Sequence, residues 1–228
     1  MKKIGVIIPA FNEEKAIGKV LNEIPKQWVD EVVVVDNNSS DRTFQEAEKN
    51  GATALKEPRR GYGYACLAGI EYFKKSTPSP DIIVFLDGDY SDYPQALPLL
   101  IAPILEEGVD MVIGSRKLGN REKGSMTPQQ RFGNWLATFL IKVMYRKKFT
   151  DLGPFRAITF QRLLELNMQD KTYGWTVEMQ VKAAKNGLPY REIPVNYRKR
   201  IGFSKVSGTV KGTIMAGVKI IATIIKHA

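Results

Sequence analysis

The sequence predicts an α/β fold, a Rossmann-like and mostly parallel sheet flanked by helices. Two observations carry that expectation. Four short Val- and Ile-rich runs in the first half do not alternate polar with apolar residues, which is the pattern of strands buried on both faces. Helix-like stretches lie between these runs, so the order is β-α-β-α, the signature of a parallel sheet.

Taken in order, Ile4 to Pro9 is the first run, and Asn12-Glu13-Glu14 supplies capping residues for a helix reaching about Ile24. Val32 to Asp36 is the second, and Ser40-Asp41 opens a helix through about Asn50. Ile82 to Asp87 is the third, after which Asp92 with Pro94 starts a helix through Glu106. Met111 to Gly114 is the fourth. Beyond it the pattern is less regular. Arg131 to Tyr145 reads as a largely apolar helix with the basic tail Arg146-Lys147-Lys148, and Arg156 to Phe160 and Tyr190 to Val195 read as strands. A helix from about Thr176 to Asn186 separates those strands, and residues 206 to 226 form the last helical pattern. There is no internal repeat.

A length of 228 residues suits one domain spanning 1–228, large enough for a core without disulfide or metal staples. The single cysteine, Cys66, excludes an intrachain disulfide and points to a reducing compartment. Ile4 to Pro9 is shorter than a signal-peptide core, so the expectation is a cytoplasmic protein. Charge divides the chain. Residues 1–115 carry 12 basic and 18 acidic side chains, and residues 116–228 carry 22 and 6. A basic second half asks for a polyanionic partner: nucleic acid, a membrane surface or phosphorylated substrates.

In open parallel sheets ligands sit beyond the carboxyl ends of the strands. The residues there are Pro9, Asn12 and Glu13; Asp36, Asn37 and Asn38; Asp87 and Asp89; and Ser115 and Arg116. Asp87-Gly88-Asp89 puts two carboxylates beside a glycine directly after an apolar run. Alone, Asp-x-Asp is more often a solvated turn. At the end of a buried strand it suits a hard cation, Mg²⁺ or Mn²⁺, that neutralises a departing diphosphate. Asp36 in the same position suits hydrogen bonds from a base or ribose.

These segments, Ile7 to Glu14, Val35 to Thr43, Gly61 to Gly69 and Asp87 to Asp89, stand in an order and spacing that resembles family 2 glycosyltransferases of the GT-A fold. Within that family the chain is similar to the dolichyl-phosphate mannose synthase and polyprenyl-phosphate glycosyltransferase group, nearly over its whole length. The resemblance implies an inverting hexosyltransferase whose donor is a UDP- or GDP-sugar. It implies that Pro9, Phe11 and Glu13 surround the base, that Asp36 binds base or ribose, and that Asp87 and Asp89 bracket the metal. Relatives often carry a Gln two places after the second Asp; here Ser91 stands, a weaker ligand. Arg116 and Arg131 match arginines that hold the acceptor's phosphate, a task suited to the guanidinium fork. Arg198 to Lys205 resembles the loop that closes over the donor diphosphate, and Arg200, Ser204 and Lys205 carry that role. By the same resemblance residues 1–115 form the nucleotide-sugar half and 116–228 the acceptor half.

The acceptor follows from a missing base. A hydroxyl nucleophile needs a general base within reach. Relatives that use one present an acidic pair where this chain has Glu178-Met179, and the only histidine is His227. A phosphate, with its second pKa near 6, is already an anion at neutral pH. That favours polyprenyl phosphate, consistent with Asp151 to Arg156, which resembles the group's acceptor-side motif. Asp151 and Glu178 stay open as bases for a hydroxyl acceptor.

No stretch reaches the roughly 18 apolar residues of a membrane span, so membrane contact is expected to be peripheral. Lys211, Lys219 and Lys226 line one side of the last helix, opposite Val210, Ile214, Gly217, Ile220, Ile221 and Ile224. That pattern suits a helix lying in an anionic surface and equally one packed on the sheet; the helix from Phe132 to Tyr145 offers a second such surface. A nucleotidyltransferase would carry a glycine-rich basic loop after the first strand, where this chain has Pro-Ala-Phe-Asn-Glu-Glu. A non-catalytic nucleotide-binding module remains the other alternative. Nucleic acid is not expected, because the carboxylates would repel its backbone.

Overall fold

A computed structural model describes residues 2–202 and 210–226, with side chains of the last helix described from Gly217 onward. The strands are β1 (Ile4–Ala10), β2 (Glu31–Asp36), β3 (Thr53–Lys56), β4 (Ile82–Phe85), β5 (Met111–Ser115), β6 (Arg156–Thr159) and β7 (Tyr190–Pro194). The helices are α1 (Ile17–Glu23), α2 (Thr43–Lys49), α3 (Tyr62–Lys75), α4 (Leu97–Glu106), α5 (Pro128–Tyr145), α6 (Phe160–Glu165), α7 (Trp175–Lys185) and α8 (Val210–Lys226).

Both halves of the chain feed one seven-stranded sheet of order β3-β2-β1-β4-β6-β5-β7. All neighbours run parallel except β6, which is antiparallel to both β4 and β5. Every residue of β1, β4 and β5 is buried, which is why those runs do not alternate. On one face Ile7, Val33, Phe85 and Trp175 lie in a core shared with α3, α5, α7 and α8, with Phe85 and Trp175 meeting edge to face at 6.1 Å. On the other, Val6, Ile8 and Val84 pack with Ile17 of α1 and Leu97 and Leu100 of α4.

The strand order reverses between β1 and β4, since the chain winds from β1 outward through β2 and β3 and then returns to β4. Such a switch point opens a crevice at the carboxyl ends, here beside Ala10 and just before Asp87.

Three helix starts differ from expectation. The Glu13 carbonyl accepts from Ala16 and Ile17, so a turn precedes α1 and Asn12 to Glu14 do not cap it. Asp41 does serve α2, accepting from the Thr43 N–H at 2.9 Å. Asp92 does not start α4: a short 3₁₀ turn from Pro94 to Ala96 does, and Asp92 is buried with neither oxygen hydrogen-bonded. Helix α5 starts at Pro128, three residues before the expected Arg131, because Thr127 and Gln130 close a reciprocal cap.

No described helix is long and apolar enough to cross a membrane. α8 packs against α5 and α7, with Ile224 buried, the Tyr145 hydroxyl donating to the Ile224 carbonyl at 2.7 Å, and Lys219 paired with Asp170 at 2.9 Å.

Candidate active site

A cleft of about 1120 Å³ lies over the switch point. Its acidic end is lined by Pro9, Phe11, Glu13, Asn37, Asp87 and Asp89, and its far end by Phe132, Gly133, Leu136, Gly217, Ile220 and Ile221. Arg116 and Arg200 also reach it.

The acidic end is built by side chains locked onto backbone. Asn37, at the end of β2, accepts from the Gly61 N–H at 2.7 Å and donates to the Arg59 carbonyl at 2.7 Å, which pins the 57–61 loop against the sheet. Arg60 is thereby held over the Phe11 ring, 5.0 Å from its centroid. Gly61 and Gly63 let the start of α3 press on the 170–171 backbone: a Cβ at either would stand 2.1 or 2.0 Å from a carbonyl oxygen. From that start the Tyr62 hydroxyl donates to Asp87 Oδ1 at 3.1 Å.

Asp87 and Asp89 are held close together. Burial, and then the like charge of Asp89, pushes Asp87 up to about 6. Asp89 accepts from the Ser91 N–H and hydroxyl at 2.9 and 2.5 Å and pairs with Arg200 at 2.5 Å. Ser91, expected as a ligand, is buried and turned onto Asp89, so it orients the carboxylate and does not line the cleft. Asp92 lies behind the pair, raised well above the carboxylate range by burial and by the charges of Asp87 and Asp89.

Arg200 reaches Asp89 because the 198–201 segment is tied alongside. The Arg198 N–H donates to the Ser91 carbonyl and the Ile201 N–H to the Asp89 carbonyl, at 2.9 and 3.0 Å. The Arg198 side chain is spent elsewhere, paired with Glu23 at 2.6 Å and stacked 3.3 Å over the Tyr90 ring. Ser204 and Lys205 lie outside the described residues.

Arg116 follows β5 and donates from Nε and Nη2 to both oxygens of Asp151, at 2.8 and 2.7 Å. Burial alone would raise Asp151, but the charge and hydrogen bonds of Arg116 hold it below the usual range. Asp151 is therefore an ion-pair partner that aims Arg116, and it is not part of the cleft lining. Glu178 is also turned inward. Its carboxylate accepts from the Gln169 and Asp170 N–H groups and pairs with Lys182 at 2.7 Å. Arg156 is fully buried and ties the 152–153 loop to α7 through the Gly153, Leu152 and Thr176 carbonyls.

Of the expected residues, Pro9, Phe11, Glu13, Asp87, Asp89, Arg116 and Arg200 meet in one cleft. Asp36 is buried one residue below it and accepts from the Ser39 N–H at 3.2 Å. Arg131 is exposed at the first turn of α5, between the lining residues Gln130 and Phe132. Asn37 stands among the strand-end residues expected to face a ligand, although no role follows from sequence; Arg60 and Tyr62 are not expected from sequence, and the signal for them is the glycine-rich start of the 61–69 segment.

The arrangement fits a divalent cation shared with a ligand. Two hard carboxylates stand close enough that burial and mutual repulsion protonate one near pH 6, and a guanidinium already lies on the other. Among the described residues there is no group of three His, Cys, Asp or Glu able to hold a metal by themselves, so the remaining positions would go to water and phosphate oxygens.

Comparison with known proteins agrees with the geometry. The Glycosyl transferase family 2 model matches residues 5–166. An uncharacterised glycosyltransferase of Mycobacterium tuberculosis is 35% identical over 93% of this chain and 94% of its own. A dolichyl-phosphate hexose transferase of Haloferax volcanii is 30% identical over 89% of this chain and 86% of its own. Among solved structures, the glucosyl-3-phosphoglycerate synthase of Mycobacterium tuberculosis, crystallised with Mn²⁺, UDP and phosphoglyceric acid, superposes with a TM-score of 0.77 at 22% identity. That match covers 99% of this chain and 78% of the other. It is a likeness of fold.

Proposed function

The chain belongs to glycosyltransferase family 2, and from that premise we propose that it transfers a hexose from a UDP- or GDP-sugar to a polyprenyl phosphate, with inversion. The observation that carries this reading is the two-ended cleft. Its carboxylates, Glu13, Asp87 and Asp89, all come from the strand ends, whereas α5 and α8 line it without a charge, with Phe132, Gly133, Leu136, Ala137, Gly217, Ile220 and Ile221 beside the polar Gln129, Gln130 and Asn134. The two acids that could have served a hydroxyl acceptor, Asp151 and Glu178, are buried in ion pairs.

At the acidic end Pro9, Phe11 and Glu13, with Arg60 above the Phe11 ring, form the seat for base and ribose. Tyr62 and Ser91 fix the rotamers of Asp87 and Asp89. When bound there, Mg²⁺ or Mn²⁺ supplies positive charge to the diphosphate as it leaves. Arg200 adds a second cation at the same place, and Ser204 and Lys205 belong to the same donor-closing segment. An oxygen of the acceptor phosphate attacks the anomeric carbon on the side opposite the diphosphate, and the bond from that carbon to the diphosphate oxygen breaks. No proton has to be removed, because the nucleophile is already an anion. Arg116 and Arg131 hold that phosphate, Arg116 aimed by Asp151. The prenyl chain leaves along Gly133 and Leu136 of α5 and Ile220 and Ile221 of α8.

The test is a panel of labelled UDP- and GDP-hexoses with Mn²⁺, offered a short-chain polyprenyl phosphate, the matching polyprenol, and soluble sugars. Label in the lipid phosphate alone is expected, and Arg131→Ala should abolish it while donor binding persists. Transfer to the polyprenol or to a sugar hydroxyl would show that the acceptor has been misread.

A further inference from the structure

We infer that the outer face of α5 seats this protein on an anionic lipid surface, so that the apolar end of the cleft opens toward the bilayer. Phe132, Trp135, Phe139 and Val143 are 61%, 54%, 48% and 61% exposed. At 100° per residue they fall within an arc of about 80°. The three rings make one surface, with Phe132 and Trp135 centroids 5.8 Å apart and Trp135 stacked on Phe139 at 5.7 Å. Single exposed apolar side chains are ordinary, but a contiguous stripe of aromatics marks a surface with a partner.

Charge selects the partner. From Lys123 to Thr150 the chain carries Lys123, Arg131, Lys142, Arg146, Lys147 and Lys148 and no acidic residue. A two-fold pairing of this patch with a second copy would set those cations against themselves. Anionic lipid instead neutralises them. Trp and Phe above such cations are the side chains that settle at a membrane interface. The cleft supplies continuity, because Phe132 belongs both to the stripe and to the cleft wall. α8 is the weaker candidate: Ile224 is buried, Ile220 and Ile221 face the cleft, and Lys219 is bound to Asp170. The direction of the cleft rests on the lipid-phosphate reading, but the stripe and its charge do not.

The test is co-flotation of the full chain with vesicles of mixed phosphatidylcholine and phosphatidylglycerol, and of phosphatidylcholine alone. The wild type should float with the mixed vesicles, and brominated lipid should quench its fluorescence in a manner lost in Trp135→Phe. The triple variant Trp135→Ser, Phe139→Ser, Val143→Ser should lose at least about tenfold in partitioning, with its melting temperature and its transfer to a water-soluble short-chain acceptor retained. Wild-type protein that stays out of the mixed vesicles would overturn the inference, as would undiminished flotation of the triple variant. So would a dimer in sedimentation that the triple substitution dissolves. Vesicle binding without transfer to polyprenyl phosphate would strike the acceptor reading and leave this surface standing.

Discussion

The two ends of the cleft are built by different physics. At the acidic end several polar side chains are fixed by hydrogen bonds to backbone or to another fixed group: Asn37 to the 59–61 loop, Tyr62 to Asp87, Ser91 to Asp89, Arg200 to Asp89. At the other end the lining is uncharged and largely apolar, with Phe132, Gly133, Leu136, Gly217, Ile220 and Ile221 beside Gln130 and Asn134, so shape and apolar area do most of the selecting. The difference matches the chemistry asked of each. A diphosphate and a cation need charge placed to a fraction of an ångström, whereas a hydrocarbon chain needs only a dry path of adequate width.

Arg116 lines the cleft and is paired with the buried Asp151, and its loss is the largest expected effect. Arg116→Ala strands the Asp151 carboxylate inside the protein and should cost about 3–5 kcal/mol in denaturant unfolding. A double variant, Arg116→Met with Asp151→Leu, should recover most of that stability and none of the transfer. Recovery of transfer as well would mean that Arg116 is a structural ion pair only.

Asp89→Asn should lower transfer by about two to three orders of magnitude while leaving vesicle flotation untouched, since the substitution touches only the acidic end. Steady-state transfer rates measured beside flotation of the same preparation would show whether the ends are independent.

The pH dependence of metal binding is the next effect in size. A metal ligand must be deprotonated, so Mn²⁺ affinity of the sugar-free protein, read by electron paramagnetic resonance, should fall about tenfold per pH unit below about 6, where Asp87 takes a proton. The sign for stability is opposite. A folded-state pKa raised above the unfolded value means the folded chain binds more protons, so metal-free stability declines as pH rises from the ordinary carboxylate range through about 6. Asp87→Asn should remove that decline in a melting series. A flat Mn²⁺ profile across this range would place the metal elsewhere.

The smallest effect is expected for Tyr62→Phe, which removes one hydrogen bond from Asp87, worth about 1 kcal/mol. It should weaken Mn²⁺ binding a few-fold and leave KM for the lipid acceptor unchanged. A change confined to the acceptor would show that Tyr62 serves the apolar end instead.

The sequence was legible where burial alone decides the pattern. β1, β2, β4 and β5 were read from apolar runs, and α5 and α7 from helical spacing. β3 was not: Thr53–Lys56 is a short edge strand with no buried residue. α3 was not read as a helix because Gly61, Gly63 and Gly69 lower its intrinsic preference, and those glycines earn their place through close approach to backbone and to Ile7. Asp92 reads as a helix start because a buried acid and an N-cap look alike in one dimension. At the site, strand ends gave Pro9, Glu13, Asp87 and Asp89. Ser91 came from family resemblance, and only coordinates show it turned away from the cleft onto Asp89. The strand end also points to Asn37, but its bonds to Arg59 and Gly61, like the contacts of Arg60 with Phe11 and of Tyr62 with Asp87, span more than 20 residues along the chain, and no local pattern encodes them.

The proposed transfer requires one cleft to take both a diphosphate-bound cation and a prenyl chain. A crystal structure with Mn²⁺, UDP and a short-chain polyprenyl phosphate tests that most directly. The cation should lie between Asp89 and the UDP phosphates, with the prenyl chain running between Gly133 of α5 and Ile220 of α8. Asp89 still closed on Arg200 with UDP bound elsewhere, or the prenyl chain outside the α5 and α8 walls, would contradict it.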